Sequence, residues 1–270
     1  MVRFGGHAAA CGAMAVILVA AAQAQAASQH MEATGARLAI DSPCAKHITI
    51  NPDPSLSGRV VVDISAENPQ EIEQLVLESG SYSAKLRIKP RLMHEECWRP
   101  EGSWSFTSTM SITARVPPAM ALAIDESGGA EYQIGAVNGA LSVDLSGGVV
   151  MRAEAVQALD IDLSGGGRIE VSHVSGDIKA DVSGGGDIKL GQVNAGDLNL
   201  DVSGGGDFGV AGGKIGQVKL DLSGAGRVRV GATVENADVD VSGAGDVSFG
   251  KVTGNLNKEV TGFGNVTVGH

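Results

Sequence analysis

Hydrophobic and polar residues alternate with a period of two through most of the chain, a pattern typical of β-strands with one buried face. In residues 159–171, LDIDLSGGGRIEV, apolar residues occupy alternate positions on both sides of a glycine triplet. Residues 198–210, LNLDVSGGGDFGV, repeat the arrangement. We therefore predict two strands joined at a glycine corner in each segment. Helices are excluded because the period is wrong and so many glycines would destabilise them.

This unit recurs at a nearly constant spacing. The pattern Asp, Leu or Val, Ser, Gly begins at six positions, spaced by 18 to 20 residues: Asp144, Asp162, Asp181, Asp201, Asp221 and Asp240. Degenerate copies begin at Asp125 and Glu259, which makes eight units between residues 125 and 270. A further apolar position before each new unit predicts a second corner. Each unit is then one coil of an all-β, parallel β-solenoid, with strands of successive coils about 4.8 Å apart.

The corner residues are predicted to be structural. The glycines of the triplets, among them Gly166, Gly185 and Gly205, are expected to supply a positive φ at a corner where a Cβ would also crowd the neighbouring coils. Ala225 and Ala244 show that the middle glycine is not obligatory. The six aspartates and the serines that follow them are expected to end each strand by accepting hydrogen bonds from turn amides. These serines include Ser164, Ser183 and Ser203.

Stacking places the aspartates in one column along the solenoid. Neighbouring carboxylates at that spacing repel by roughly 1 kcal/mol per pair in water, and by more at a lower dielectric. The column must therefore be hydrated, bonded to turn amides or bridged by cations, and we expect amides and water.

The last unit departs from the repeat. Lys258 occupies the position held by Leu200 and Leu220, and Phe263 enters the glycine corner. A charged last coil is expected to discourage pairing with further strands.

A change in composition near residue 119 divides the mature chain. All eight prolines lie at or before Pro118, and both tryptophans precede it. We predict a signal peptide at residues 1–26, a β-rich region at 27–118 forming the first, irregular part of the solenoid, and the glycine-cornered repeats at 119–270. Period-two segments predict strands at residues 47–50, 59–65, 84–89 and 111–116. Residues 67–81 have a pattern that moderately indicates a helix, but we favour a strand at residues 73–79.

The amino terminus has the features of a secretory signal peptide. The apolar run at residues 11–22 is too short to span a bilayer, and AQAQA offers cleavage after Ala24 or Ala26. Cleavage removes Cys11 and leaves Cys44 and Cys97. An even pair in an oxidising compartment predicts one disulfide, and two free buried thiols are the alternative.

Few features of the sequence indicate a binding or catalytic site. The net charge of −11 disfavours nucleic acid and anionic lipid as partners. The glycine triplets precede no helix and no GK[ST] motif, so a phosphate-binding loop is not predicted. They also lack the nine-residue period of a calcium β-roll, which leaves the Asp column as the one route to calcium.

Catalytic and metal sites are not predicted either. The histidines are scattered without HExxH spacing, and no CxxC motif occurs. MHEEC, at residues 93–97, could hold a metal ion, but an exposed loop beside a disulfide is the favoured interpretation. Trp98 and Trp104 could stack on sugar rings, although such residues more often belong to a core. The Asp residues could act as acid and base on a sugar, yet they recur identically in every coil and no coil breaks the repeat.

Three features together resemble one bacterial family. The SGGG and SGAG corners, the stretch VPPAMALAIDESGG and the upstream IEQLVLESGSYSAKLRI are similar to the head-GIN domain, also called the putative auto-transporter adhesin head domain. The resemblance extends over residues 48–268. It implies a right-handed parallel β-helix similar to pectin-lyase folds, without catalytic residues, exported in Gram-negative bacteria and acting in adhesion. It brings no functional residues with it.

The sequence thus predicts an exported, non-enzymatic β-solenoid that acts as an adhesion, binding or scaffold module of the cell envelope. The alternative is a carbohydrate-active β-helix enzyme. No cofactor or metal is expected. The expected partner is an envelope or extracellular ligand, protein or glycan, and no membrane-spanning segment is expected in the mature chain. Periplasmic and surface locations, and the oligomeric state, stay open.

Overall fold

The computed structural model of the chain describes residues 26–88 and 108–269. In the first part, the elements are β1 (Ala27–Thr34), β2 (Arg37–Asp41), β3 (His47–Pro52), β4 (Arg59–Ala66), α1 (Pro69–Glu73), β5 (Leu75–Glu78), β6 (Ala84–Ile88) and β7 (Ser111–Val116). The following strands are β8 (Ala121–Glu126), β9 (Glu131–Ala136), β10 (Ala140–Leu145), β11 (Val150–Val156), β12 (Ala158–Leu163), β13 (Arg168–Val174) and β14 (Ile178–Val182). The last are β15 (Asp187–Val202), β16 (Asp207–Leu222), β17 (Arg227–Val241), β18 (Asp246–Val252), β19 (Leu256–Val260) and β20 (Asn265–Val268).

Each coil contributes a strand to two parallel ladders. Ladder A contains β8, β10, β12, β14, the C-terminal halves of β15, β16 and β17, and β19. Ladder B contains β9, β11, β13, the N-terminal halves of β15, β16 and β17, β18 and β20. The predicted β-solenoid with coils of about 19 residues is confirmed.

The core is a stack of aliphatic columns between the two ladders. Leu141, Leu159 and Ile178 occupy successive coils of one column, each at most 2% exposed. Ile169, Ile188 and Phe208 do the same on ladder B. The period-two pattern thus buries one face of every strand, and the opposite faces point to solvent.

The N-terminal strands join the same two ladders, but out of chain order. In ladder A, β2 lies between β6 and β8, and in ladder B, β3 lies between β7 and β9. Outside them, β5 pairs with β6, and β4 pairs with β7 and β1, all in the antiparallel sense. The predicted strand at residues 73–79 is present in part as β5, after the short helix α1. The Asn68 side chain caps this helix by accepting a 3.0 Å hydrogen bond from the Gln70 amide.

The expectation of positive φ at the triplet glycines is wrong for Gly166, Gly185 and Gly205. Among the described glycines, φ is left-handed only at Gly58, Gly213 and Gly262. The middle position faces open space, since a Cβ there would meet no atom within 4 Å.

The need for glycine lies one residue earlier in each corner. A Cβ on Gly184 would lie 2.0 Å from the carbonyl oxygen of Gly165, and one on Gly204 would lie 2.1 Å from that of Gly184. Successive coils therefore approach so closely at the first corner glycine that no side chain fits between them.

Candidate functional site

An acidic column runs along the outer surface of ladder A. Its members are in register from coil to coil: Asp41, Asp125, Asp144, Asp162, Asp181, Asp201, Asp221, Asp240 and Glu259. The six predicted aspartates are thus brought together, with three further acids. Asp41 was not predicted as a member because it lies before the repeat, on a strand that pairs with β8 from the N-terminal region. The column places one carboxylate per coil on the solvent side.

The turn amides do not neutralise this column. The amide of Ser164 donates to the Leu145 carbonyl at 3.0 Å, and that of Ser203 donates to the Val182 carbonyl at 2.9 Å. Because such amides already bind the preceding coil, the expected bonds from turn amides are absent, among the described residues, for the six predicted aspartates and for Ser164, Ser183 and Ser203. One such bond occurs in the N-terminal region, where the Ser127 amide donates to Oγ of Ser42 at 3.1 Å. Two lysines neutralise part of the column instead. Lys179 forms an ion pair with Asp181, and Nζ of Lys85 lies 2.9 Å from a carboxylate oxygen of Asp41.

Crowding of the column shows most clearly at Asp125. Partial burial raises the pKa of the Asp125 carboxyl, and the neighbouring Asp41 and Asp144 raise it further. Within residues 26–88 and 108–269, no group of three or more acidic, His or Cys side chains converges in a way that could hold a metal ion.

The outer surface of ladder B carries mixed charge. Opposite charges on neighbouring strands pair across it: Arg152 with Glu170 at 3.3 Å, Arg168 with Asp187 at 3.4 Å and Arg227 with Asp207 at 3.4 Å. These pairs are exposed, so each stabilises the fold only weakly. The solenoid thus presents two unlike faces, one acidic and one of paired charges.

A polar pair is buried inside the core near the N-terminal end. The Tyr132 hydroxyl donates a 2.8 Å hydrogen bond to Oε2 of Glu126, and the Gly128 amide donates one of 3.0 Å to Oε1. Both side chains belong to residues only 2% exposed. Burial raises the pKa of the Glu126 carboxyl, while these two hydrogen bonds lower it in part. Burial also raises the pKa of Tyr132 well above its ordinary value.

This pair was not predicted, although the sequence contains a signal for it. Glu126 is in register with Leu145, a core position, so the degenerate copy DESGG places an acid where the other copies place Leu or Val.

Two open grooves lie near the C-terminal end, over β16 to β18, the connection after β18, and β20. One, of about 450 Å³, is lined by Lys214, Ile215, Gly216, Thr233, Glu235, Thr253 and Gly254. The other, of about 300 Å³, is lined by Arg227, Arg229, Asp246, Val247, Ser248, Asn265 and Thr267. The strand register shifts here, between Val210 and Lys214 and again between Val230 and Thr233. The coils are therefore irregular at the second corner of β16 and β17, while the register of the acidic column continues unbroken through them.

Several predicted features lie outside the described residues. These are the signal peptide, apart from its last predicted residue, and the segment that contains MHEEC, Trp98 and Trp104. Cys44 lies in the connection from β2 to β3 with a φ of 55°. Its predicted partner Cys97 is outside the described residues, so the Cys44–Cys97 pairing stays a prediction. The described part of the chain contains no helix long and apolar enough to cross a membrane.

Solved structures share this architecture at low sequence identity. A putative adhesin from Parabacteroides distasonis ATCC 8503 has a TM-score of 0.64 and 15% identity, covering 91% of this chain and 98% of its own. A putative adhesin from Bacteroides fragilis NCTC 9343 has a TM-score of 0.57 and 15% identity, with coverages of 90% and 97%. A putative lipid binding protein from Parabacteroides distasonis ATCC 8503 has a TM-score of 0.55 and 14% identity, with coverages of 91% and 97%. These likenesses concern the fold.

The family comparison concerns the repeats. No curated protein matches the chain. Residues 160–269, from β12 to the last described residue, match the family model "Putative auto-transporter adhesin, head GIN domain". The resemblance inferred from the SGGG and SGAG corners is therefore confirmed over residues 160–269, which are similar to the putative auto-transporter adhesin, head GIN domain family.

Proposed function

We propose that the protein is an exported, non-enzymatic adhesion or binding module of the Gram-negative cell envelope. The observation that carries this proposal is the uniform coil register, which repeats the same outward side chain along a stiff axis. Asp162, Asp181 and Asp201 lie directly beside one another on successive strands. A row of equivalent groups suits a ligand that is itself extended or repetitive, because several weak contacts then act together.

The comparisons support this proposal. Two solved structures with the same fold are described as putative adhesins, and a third as a putative lipid binding protein. The matched family model also names an adhesin. An envelope or extracellular location agrees with these names and with the predicted signal peptide.

The alternative, a carbohydrate-active enzyme, would use the acidic column as its source of acid and base. Acid–base catalysis by two carboxyl groups requires surroundings that separate their pKa values. The repeat instead gives Asp201 and Asp221 similar surroundings, because both are exposed and each lies between two acids of adjacent coils. Such a column favours binding over catalysis.

One experiment separates the two functions. Mature protein, residues 27–270, is labelled and incubated with envelope fractions and with cells, and unlabelled protein is the competitor. We expect saturable, competed binding. The same protein is incubated with a panel of polysaccharides, and reducing ends and unsaturated products are followed. Turnover that is lost when one pair of column aspartates is changed to Asn, while other pairs have no effect, would establish the enzyme instead.

Export is tested separately. The full chain is expressed in a Gram-negative host, and the N-terminus of the protein recovered from periplasmic and surface fractions is identified by mass spectrometry. We expect it to begin at Gln25 or Ala27, after cleavage at Ala24 or Ala26. Protein that retains Met1 and stays in the cytoplasm would contradict the proposed location.

A further inference from the structure

Beside the two grooves, a strip of surface on β16, β17 and β18 carries almost no side chains. On each strand the strip lies between an outward residue of ladder B and the outward residue with which the second corner begins. On β17 these two residues are Arg229 and Thr233. The outward residues of the strip are all glycine or alanine: Ala211, Gly212, Gly213, Gly231 and Gly250. The residues between them, Val210, Val230, Ala232 and Phe249, point into the core. A Cβ on Gly231 would lie 2.6 Å from the Ala211 carbonyl oxygen, so close packing of the coils keeps this part of the strip bare.

Cations without an ion-pair partner border this strip. Lys214 and Lys251 stand on one side, both in register with Thr233, and are therefore about 10 Å apart. Arg229 stands on the other side. Most described lysines and arginines make an ion pair; those that do not are Arg37, Lys46, Lys214, Lys219, Arg229, Lys251 and Lys258. Three of these therefore surround one bare strip.

The neighbours of Arg229 leave its guanidinium accessible. It is in register with Gly209 on one side and Ser248 on the other, so neither neighbouring strand covers it or supplies a counter-ion. The acids in the two grooves are Asp246 and Glu235. The two cationic borders are about 13 Å apart, because Arg229 and Thr233 are four residues apart along β17.

We infer that this strip binds an acidic polysaccharide, a chain of sugars that carry carboxylate or sulfate groups. Arg229, Lys214 and Lys251 pair with the anionic groups, and the flat backbone floor accommodates sugar rings that bulky side chains would exclude. Hydroxyl and amide groups in the grooves, from Thr233, Ser248 and Asn265 among others, provide hydrogen bonds to sugar hydroxyls. The inference rests on the proposed binding function and names its ligand class.

A glycan fits the strip better than a peptide or a membrane does. Its apolar lining residues, Ile215 and Val247, are only 2% and 1% exposed and offer no pocket for an apolar side chain or acyl group. The acidic column lies on the opposite ladder, roughly 10 Å away through the core, where salt weakens its repulsion of an anionic ligand.

The inference is tested with defined probes on mature protein. Binding of polygalacturonate, dextran sulfate and neutral dextran is measured by biolayer interferometry at several salt concentrations. We expect one or both anionic polymers to bind, neutral dextran not to bind, and affinity to fall with salt. The two anionic probes distinguish carboxylate from sulfate as the recognised group. The triple variant Lys214→Gln/Arg229→Gln/Lys251→Gln should bind the anionic polymer about 10- to 100-fold more weakly, since three exposed ion pairs are lost.

The matched control removes three other unpaired cations, Arg37→Gln/Lys219→Gln/Lys258→Gln, and should retain wild-type affinity. Melting temperatures establish that both variants fold. Equal binding of neutral dextran, equal losses in both variants, or binding to anionic lipid vesicles but not to the polymers would overturn the inference. If neither anionic polymer binds while labelled protein still adheres saturably to cells or envelope fractions, the polysaccharide is wrong and the binding module stands.

Discussion

The hydroxyl of Tyr132 lies 2.8 Å from Oε2 of Glu126, inside a core that is otherwise aliphatic around them. The adjacent coil places Leu145 and Met151 at the corresponding positions. The first complete repeat thus contains a satisfied polar pair where its neighbour contains two apolar side chains. A satisfied pair costs little, whereas breaking it leaves a buried group without a partner.

The first prediction concerns pH. The pKa of Glu126 is raised in the folded chain, so the folded state holds its proton more tightly than the unfolded state. The resulting stability is fully present below the ordinary value of 4.5 and is lost as the pH rises through the folded-state pKa. Wild type should therefore lose stability relative to Glu126→Gln over that interval, by about 1.4 kcal/mol per pKa unit between the two states. Urea unfolding at a series of pH values measures the difference, and parallel curves would show that Glu126 does not titrate as described.

The second prediction separates the two partners. Tyr132→Phe removes the donor to Oε2 and should destabilise the fold by about 1–3 kcal/mol at neutral pH. Combining it with Glu126→Leu should recover part of that loss, because the pair then resembles Leu145 and Met151. A double-mutant cycle from chemical denaturation gives the coupling energy. Tyr82→Phe is the control, since Tyr82 is 86% exposed; a coupling energy near zero would contradict the prediction.

The third prediction contrasts two adjacent glycines. Gly184→Ala places a Cβ 2.0 Å from the Gly165 carbonyl oxygen and should cost about 1–3 kcal/mol as the coils separate. Gly185→Ala should change stability by no more than about 0.5 kcal/mol, because its Cβ meets open space and Ala225 occupies the equivalent corner position. Thermal melts of the two variants check this. Equal melting temperatures would mean that coil spacing does not depend on the first corner glycine.

The fourth prediction concerns the last coil. Lys258 is in register with Val239 and exposed, while β19 has a strand partner on one side only among the described strands. Lys258→Leu should preserve monomer stability but promote end-to-end association, because it removes a charge from an open strand edge. Light scattering at several concentrations measures this. Lys219→Leu, on an interior strand of ladder A, is the control; a Lys258→Leu variant that stays monomeric and unfolds more easily would show a specific bond from Lys258.

The fifth prediction concerns the cysteines. Protein purified from the periplasm should contain a Cys44–Cys97 disulfide, which closes a long loop and adds about 2–4 kcal/mol. Thiol labelling of denatured, unreduced protein should find no reactive thiol in the mature chain. Two labelled thiols per chain would refute the pairing.

The repeats could be predicted in detail because the same residue types return at a fixed spacing. Parallel pairing of identical units fixes the register, so Asp144, Asp162 and Asp181 had to stack once the coil was recognised. The role of each glycine could not be read in this way. Three consecutive glycines look alike in sequence, and what distinguishes Gly184 from Gly185 is a carbonyl in the preceding coil. The alanine at position 225 was the available signal.

The N-terminal region was predicted less fully. Its strands were predicted from the alternation of apolar and polar residues. Their order in the ladders depends on pairings between segments far apart in sequence, such as β2 with β8, and no repeated motif indicates these pairings. The bare strip could not be predicted from the sequence for a related reason. Its glycines are scattered over three strands, and only the register of β16 to β18 brings Lys214 near Lys251.

The interleaved start of the solenoid constrains the order in which the chain can assemble. β2 is flanked by β6 and β8, so this strand, among the earliest synthesised, has no partner in ladder A until residues well downstream are available. Each coil from β10 onward has no such delay, since it adds to a neighbour already made. In a chain that emerges from its amino terminus, β2 and β3 would therefore have no ladder partner until β6 and β7 follow. The regular coils would add one at a time only after β8 and β9.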